Sequence, residues 1–177
     1  MLEHYECDGQ LSFEEDSRIT IHCEDCFETM RYMLENSVDI VLTSPFYNTN
    51  KKAGQKRNLS NSKCNGYSYL RYDNHVDNMS DEEYCVFTKR LFDSFDVVLK
   101  ENGVVLYNLS YGNNNTEGMF KAVNEIITQT NFTVADVIIW KKSNALPNNC
   151  SNNKLTRITE FVFVFLQKVR SKNLLLQ

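Results

Sequence analysis

The segment with the most chemical content is Thr43-Ser44-Pro45-Phe46-Tyr47-Asn48, directly after the apolar run Val38-Asp39-Ile40-Val41-Leu42. Ser44 brings a hydroxyl, which can donate one hydrogen bond and accept two. Pro45 has no N–H and disrupts regular strand pairing, so the carbonyls of Ser44 and Pro45 cannot continue a ladder. Phe46 and Tyr47 offer flat faces for stacking. A hydroxyl, released carbonyls and stacking faces thus meet at the end of a strand. The plainer alternative is a strand terminator followed by a core aromatic.

Cys23-Glu-Asp-Cys26 has the spacing of a redox or zinc site. A zinc site needs a second ligand pair, and His4, His22 and His75 do not form one. The six cysteines are therefore expected to be free thiols, and no metal is expected.

Charge is blocked along the chain. The net charge of −4 disfavours nucleic acid by itself, but residues 43–72 carry six bases and no acid. Residues 141–177 carry seven bases and only Glu160. Residues 1–42 and 73–140 hold 11 acids each. Two basic segments in an acidic chain fit a phosphate footprint, or equally two solvated loops.

The elements that must position these groups alternate in type. Arg18–Cys23 reads as a strand, 26–36 as a helix that Asp25 could cap, and Val38–Leu42 as a buried strand. Residues 49–79 read as a long polar loop. Ser80 and Glu83 have capping-box spacing before a helix to about Lys100, with Tyr84, Phe87, Leu91, Phe95 and Val98 as its core stripe. Asn102-Gly103 reads as a turn into the strand Val104–Leu109. A helix follows over 116–130, with Met119, Phe120, Val123, Ile126 and Ile127 inward. Strands are predicted at Val134–Trp140 and Ile158–Leu166, separated by an Asn-rich loop over 141–157. The alternation predicts an α/β fold with a largely parallel sheet, in which ligands bind beyond the carboxyl ends of the strands. Thr43–Asn48 lies at such an end.

Val-Asp-Ile-Val-Leu-Thr-Ser-Pro-Phe-Tyr-Asn resembles the catalytic motif of the DNA methyltransferases that modify exocyclic amino groups. Four further stretches resemble landmarks of that family in the permuted order. They are Ile21–Cys26, Leu99–Val104, Ile139–Lys142 and Thr159–Phe165, so the resemblance covers roughly 18–168. It implies an incomplete Rossmann-like sheet with flanking helices and S-adenosylmethionine as cofactor. Ser44, Pro45, Phe46 and Tyr47 would be catalytic. The Ser44 side chain and Pro45 carbonyl would accept hydrogen bonds from the target NH₂, and Tyr47 would stack on a flipped base. Asp25 and Ser44 would lie at the cofactor. DNA is the implied partner, met by Asn48, Lys51, Lys52, Lys56, Arg57, Lys63, Lys141 and Lys142. Ser44 in place of Asp leans towards cytosine over adenine.

Two departures from the pattern are local: Phe46 stands for a second Pro, and Glu24 for a Gly. A larger one is that the family's Phe-x-Gly-x-Gly cofactor loop does not occur in these residues. In the permuted order it would follow Ile158–Leu166, together with two central strands. The Val38, Val104, Ile158 and Val134 strands could still form one sheet. The Arg18–Cys23 strand would be orphaned or repaired elsewhere, and the Val38 edge would be left open. The expected organisation is an N-terminal extension at 1–17, a partial catalytic domain at 18–168 and a tail at 169–177. The expected protein is cytoplasmic, with no membrane span, and is inactive alone. A homodimer or a complementing C-terminal chain are its expected protein partners. The alternatives are a non-enzymatic or degenerate DNA-binding remnant and a methyltransferase acting on RNA or protein.

Overall fold

The computed structural model describes residues 11–14, 17–48, 79–111, 115–143 and 158–168. Helix α2 (Asp81–Val98) organises them. It opens with the capping box expected at Ser80 and Glu83: the Ser80 hydroxyl accepts from the Glu83 N–H, and the Glu83 carboxylate accepts from the Ser80 N–H. Its buried positions Tyr84, Thr88, Leu91, Phe92, Phe95 and Val98 recur at helical spacing. Phe92 is fully buried, with ring centroids of Phe95, Tyr107, Phe132 and Phe165 5.0–5.4 Å away. The sequence stripe missed it because Leu91 alone satisfies the period.

The α2 helix sits on a four-stranded sheet of β3 (Val38–Thr43), β4 (Leu99–Leu109), β5 (Phe132–Lys141) and β6 (Thr159–Gln167). The order is β3-β4-β6-β5, the contiguous order expected from the sequence. β3 and β4 are parallel, while β6 runs antiparallel to both β4 and β5. Three strands therefore point one way, and the last strand inserts between two of them. The expectation of a largely parallel sheet holds for strand direction but not for pairing, where one contact in three is parallel.

The expected turn at Asn102-Gly103 is absorbed into β4. Val38 pairs with Leu99 and Ile40 with Val104, so β4 carries extra residues there. Gly103 is required at that irregularity: a Cβ would lie 2.5 Å from Leu99 Cγ and 3.0 Å from the Asp39 carbonyl. Lys100 bonds the Asp39 carboxylate across the same join.

Two further helices lie on the same side as α2. They are α1 (Cys26–Tyr32), capped by Asp25, and α3 (Gly118–Gln129). α3 buries Gly118, Met119, Ala122 and Ile126. Phe120, expected inward, is 59% exposed, because it sits one residue step round the helix from Met119. Ile127 is also on the exposed side. The expected Arg18–Cys23 strand is shorter: β2 (Ser17–Ile19) pairs antiparallel with β1 (Leu11–Glu14) in a separate hairpin that crosses the expected border at 17/18. Among the described residues nothing pairs with the outer edge of β3. None of the described helices is long and apolar enough to cross a membrane. The 49–78 part of the expected long loop, nearly all of the 141–157 loop and the tail lie outside the described residues.

Candidate active site

The carboxyl ends of β3 and β4 lie side by side, with Thr43 paired to Tyr107. Position 44 follows directly, and Asn108 follows Tyr107 on the neighbouring strand. β6 brings Glu160 to the same end, since Asn108 pairs with Val162 and side chains alternate along a strand. Ser44, Tyr47, Asn108 and Glu160 meet there in one hydrogen-bonded cluster.

The proton inventory of this cluster can be worked out. The Tyr47 hydroxyl donates to Glu160 Oε2 at 3.2 Å. At the 2.8 Å contact between Tyr47 and Ser44 either hydroxyl can be the donor, and the serine donates when the Tyr47 proton goes to Glu160. The two Asn108 Nδ2 protons go to Tyr47 at 2.8 Å and Glu160 at 3.0 Å, and its Ser44 contact is longer, at 3.4 Å. In that arrangement Ser44 Oγ turns lone pairs towards anything that approaches. The ionised Glu160 oxygen, which can only accept, favours the Asn108 orientation with Nδ2 towards it. Its Oδ1 is buried with no hydrogen-bond partner among the described residues.

Glu160 anchors the cluster. Its other carboxylate oxygen pairs with the Lys142 ammonium. Burial alone would raise this carboxyl, but Lys142, Asn108 and Tyr47 together outweigh burial and hold it below the ordinary carboxylate range. An ionised Glu160 favours a Tyr47 proton directed at it, and through it a Ser44 proton directed at Tyr47. Sequence reasoning named neither Asn108 nor Glu160 as site residues. The available signals were an Asn in an otherwise apolar strand and the single acid of a basic segment.

Several expected site residues make contacts within the fold. Phe46 is half-buried. Its ring packs on α2, with centroids 5.5 Å from Tyr84 and 4.8 Å from Phe87, and its carbonyl accepts from the Tyr84 hydroxyl at 2.9 Å. The residue that replaces a proline thus anchors the motif to the helix beneath it. Asn48, expected on DNA, is 0% exposed, and its side-chain amide bonds both the N–H and the carbonyl of Met79. It adopts φ 49°, a left-handed conformation that Asn tolerates. Lys142, also expected on DNA, is spent on Glu160, whereas Lys141 is exposed at the end of β5. Lys51, Lys52, Lys56, Arg57 and Lys63 lie outside the described residues. Pro45 is half-buried beside Ser44.

Asp25, expected at the cofactor, accepts from the Phe27 N–H at 2.9 Å and caps α1. Glu24 engages Thr29. Cys23, Cys26 and Cys85 are free thiols, and burial with the Asp25 carboxylate pushes Cys26 up, the opposite of an activated thiolate. The described residues build a hydrogen-bonding station at Ser44.

An α/β sheet with a Ser-Pro-aromatic turn at the carboxyl end of β3 defines the class, and the comparisons agree. The DNA methylase family, of the N6/N4 methyltransferase type, matches residues 38–173, and the chain belongs to that family. Among solved structures it is similar to the PvuII DNA methyltransferase (cytosine-N4-specific), at 17% identity and a TM-score of 0.57. That match covers 82% of this chain and 47% of the other. The M1.HpyAVI structure matches at 19% identity and a TM-score of 0.48, over 82% of this chain and 54% of that one. Its complex with SAM matches at 17% identity and 0.46, over 82% and 53%. At these identities the likeness is one of fold. The chain spans about half the length of these structures.

Proposed function

We propose that this chain is the base-holding half of a DNA methyltransferase that acts on the exocyclic amine of adenine or cytosine. The observation that carries this reading is the hydrogen-bonded cluster that holds Ser44 Oγ beside Tyr47, Asn108 and Glu160. An exocyclic amine is a poor nucleophile, because its lone pair is delocalised into the ring. An acceptor placed against its N–H favours the pyramidal, nucleophilic form. Ser44 Oγ, with its proton directed at Tyr47, would be one acceptor, and the Pro45 carbonyl would be the second. Tyr47 would stack on a base flipped out of the duplex, its hydroxyl held by Asn108 and Glu160 so that the plane of the ring is set. The exposed Lys141 and the basic segment 49–72 would meet phosphates. The donor for such a reaction is S-adenosylmethionine, which carries an electrophilic methyl on sulfur. The family's Phe-x-Gly-x-Gly cofactor loop does not occur in the sequence, so the isolated chain is expected to be inactive. Site residues, cytoplasmic location and the boundaries of the partial domain belong to this same reading.

The test uses the chain and a short single-stranded oligonucleotide carrying 2-aminopurine. Stacking on Tyr47 should quench its fluorescence. Tyr47→Ala should weaken binding about tenfold, since one base–aromatic stack contributes roughly 1–3 kcal/mol. Salt-dependent binding and quenching that survive Tyr47→Ala would overturn the reading and leave a DNA-binding remnant that uses only its basic segments.

A further inference from the structure

The Ser44 cluster runs across the end of the sheet in strand order. The turn after β3 supplies Ser44 and Tyr47, β4 supplies Asn108, β6 supplies Glu160, and Lys142 follows the end of β5. Ser44, at one end of this line, is exposed, whereas Glu160 is only 9% exposed. The link from Glu160 to Ser44 passes through the Tyr47 hydroxyl, 3.2 Å from the first and 2.8 Å from the second.

Lys142 decides which carboxylate oxygen does what. Its ammonium pairs with Oε1, while Tyr47 and Asn108 share Oε2. The lysine is itself held: its backbone N–H bonds the Ile158 carbonyl at 2.8 Å, and Nζ lies 5.6 Å from the centroid of the Trp140 ring. An ammonium only donates, so whatever stands at position 160 must turn an acceptor towards it. With a carboxylate, the oxygen facing Tyr47 is an acceptor as well. It draws the Tyr47 proton, the Ser44 proton turns to Tyr47, and Ser44 lone pairs face outward. A side-chain amide at 160 would give its oxygen to Lys142 and leave its NH₂ facing Tyr47. Tyr47 would then accept from that side and donate to Ser44, whose own proton would turn outward.

The two polarities suit opposite bases. Adenine and cytosine present an amino group, which donates. Hypoxanthine and uracil present an oxygen at the same ring position, which accepts. An outward lone pair bonds the amino group and meets another lone pair on the oxygen.

We propose that Glu160, held by Lys142, is the positioning residue that makes Ser44 select amino-bearing over oxo-bearing bases, acting through the Tyr47 hydroxyl. The inference rests on the function proposed above and adds to it the origin of the choice of base.

The test compares the affinity of the 177-residue chain for short single strands of cytosine against uracil, and of adenine against hypoxanthine. Phosphate contacts are common to each pair and cancel in the ratio, as does any unfolded fraction of a variant. The native chain is expected to prefer the amino member of at least one pair about tenfold. Glu160→Gln should reduce that preference to within about threefold, and so should Tyr47→Phe, which keeps the ring and removes the link. In the double variant Glu160→Gln/Lys142→Met the amide is free to turn its oxygen to Tyr47 and Asn108, and the preference should recover by about threefold or more. A role in packing alone would show no such rescue, because the second substitution removes a further contact. No preference in the native chain, a preference that survives Glu160→Gln, or no rescue in the double variant overturns the proposal. Tyr47→Ala separates the two readings. If it weakens binding to every strand while the native chain shows no preference, base stacking stands and this inference fails. If it changes nothing, the proposed function fails and this inference with it.

Discussion

Glu160→Gln tests the argument on which the polarity of Ser44 depends. The substitution keeps the shape and removes the charge. In the native protein the carboxylate accepts from Tyr47 at 3.2 Å and from Asn108 at 3.0 Å, and pairs with Lys142. Hydrogen bonds to a charged group contribute about 1.5–3 kcal/mol and neutral ones about 0.5–1.5, so each of the first two loses roughly 1 kcal/mol. Lys142 is 37% exposed, and its lost pairing is screened to about 0.5 kcal/mol. The sum is about 2–3 kcal/mol, or a fall of about 5–10 °C in Tm for a chain of this size. The pH dependence has a definite sign. Glu160 is held below its ordinary value of 4.5 in the folded state. Its contribution is therefore complete above that value and is lost as pH falls through the depressed one. Thermal melts followed by circular dichroism at neutral pH should show the gap between the two proteins, and the gap should narrow as the buffer is acidified below 4.5 and through the depressed value. A variant that melts within a degree of the native protein at pH 7, or a gap that persists in acid, refutes the reasoning.

Two further substitutions test how the motif is held. Asn48→Ala loses both bonds to Met79 and places a Cβ-bearing residue without a polar side chain at φ 49°, for an expected loss of about 3 kcal/mol in urea unfolding. Asn48→Gly keeps the backbone unstrained and should lose about 1 kcal/mol less, whereas the reverse order would show that the conformation is unimportant. Phe46→Ala removes the half-buried ring from Tyr84 and Phe87 and should cost about 2 kcal/mol. If it leaves stability unchanged and only abolishes base stacking, Phe46 belongs to the binding surface after all.

What the sequence determined by itself is local. The capping box at Ser80, the Asp25 cap, the apolar runs of β3 and β4, and the Ser-Pro-aromatic turn all follow from the types and spacing of neighbouring residues. Those signals also sufficed for the family and for the strand order, because the resembling landmarks occur in register. Only the tertiary structure decided what those residues touch. The contacts of Phe46, Asn48 and Lys142 were not legible because their partners Phe87, Met79 and Glu160 are remote in sequence, and no local pattern encodes them. Asn108 and Glu160 became site residues only when β4 and β6 paired. The exposure of Ile40 and Leu42 in β3 was invisible for the same reason. A strand of apolar residues states what should be buried, but which of its faces finds a partner is decided by the elements that pack around it.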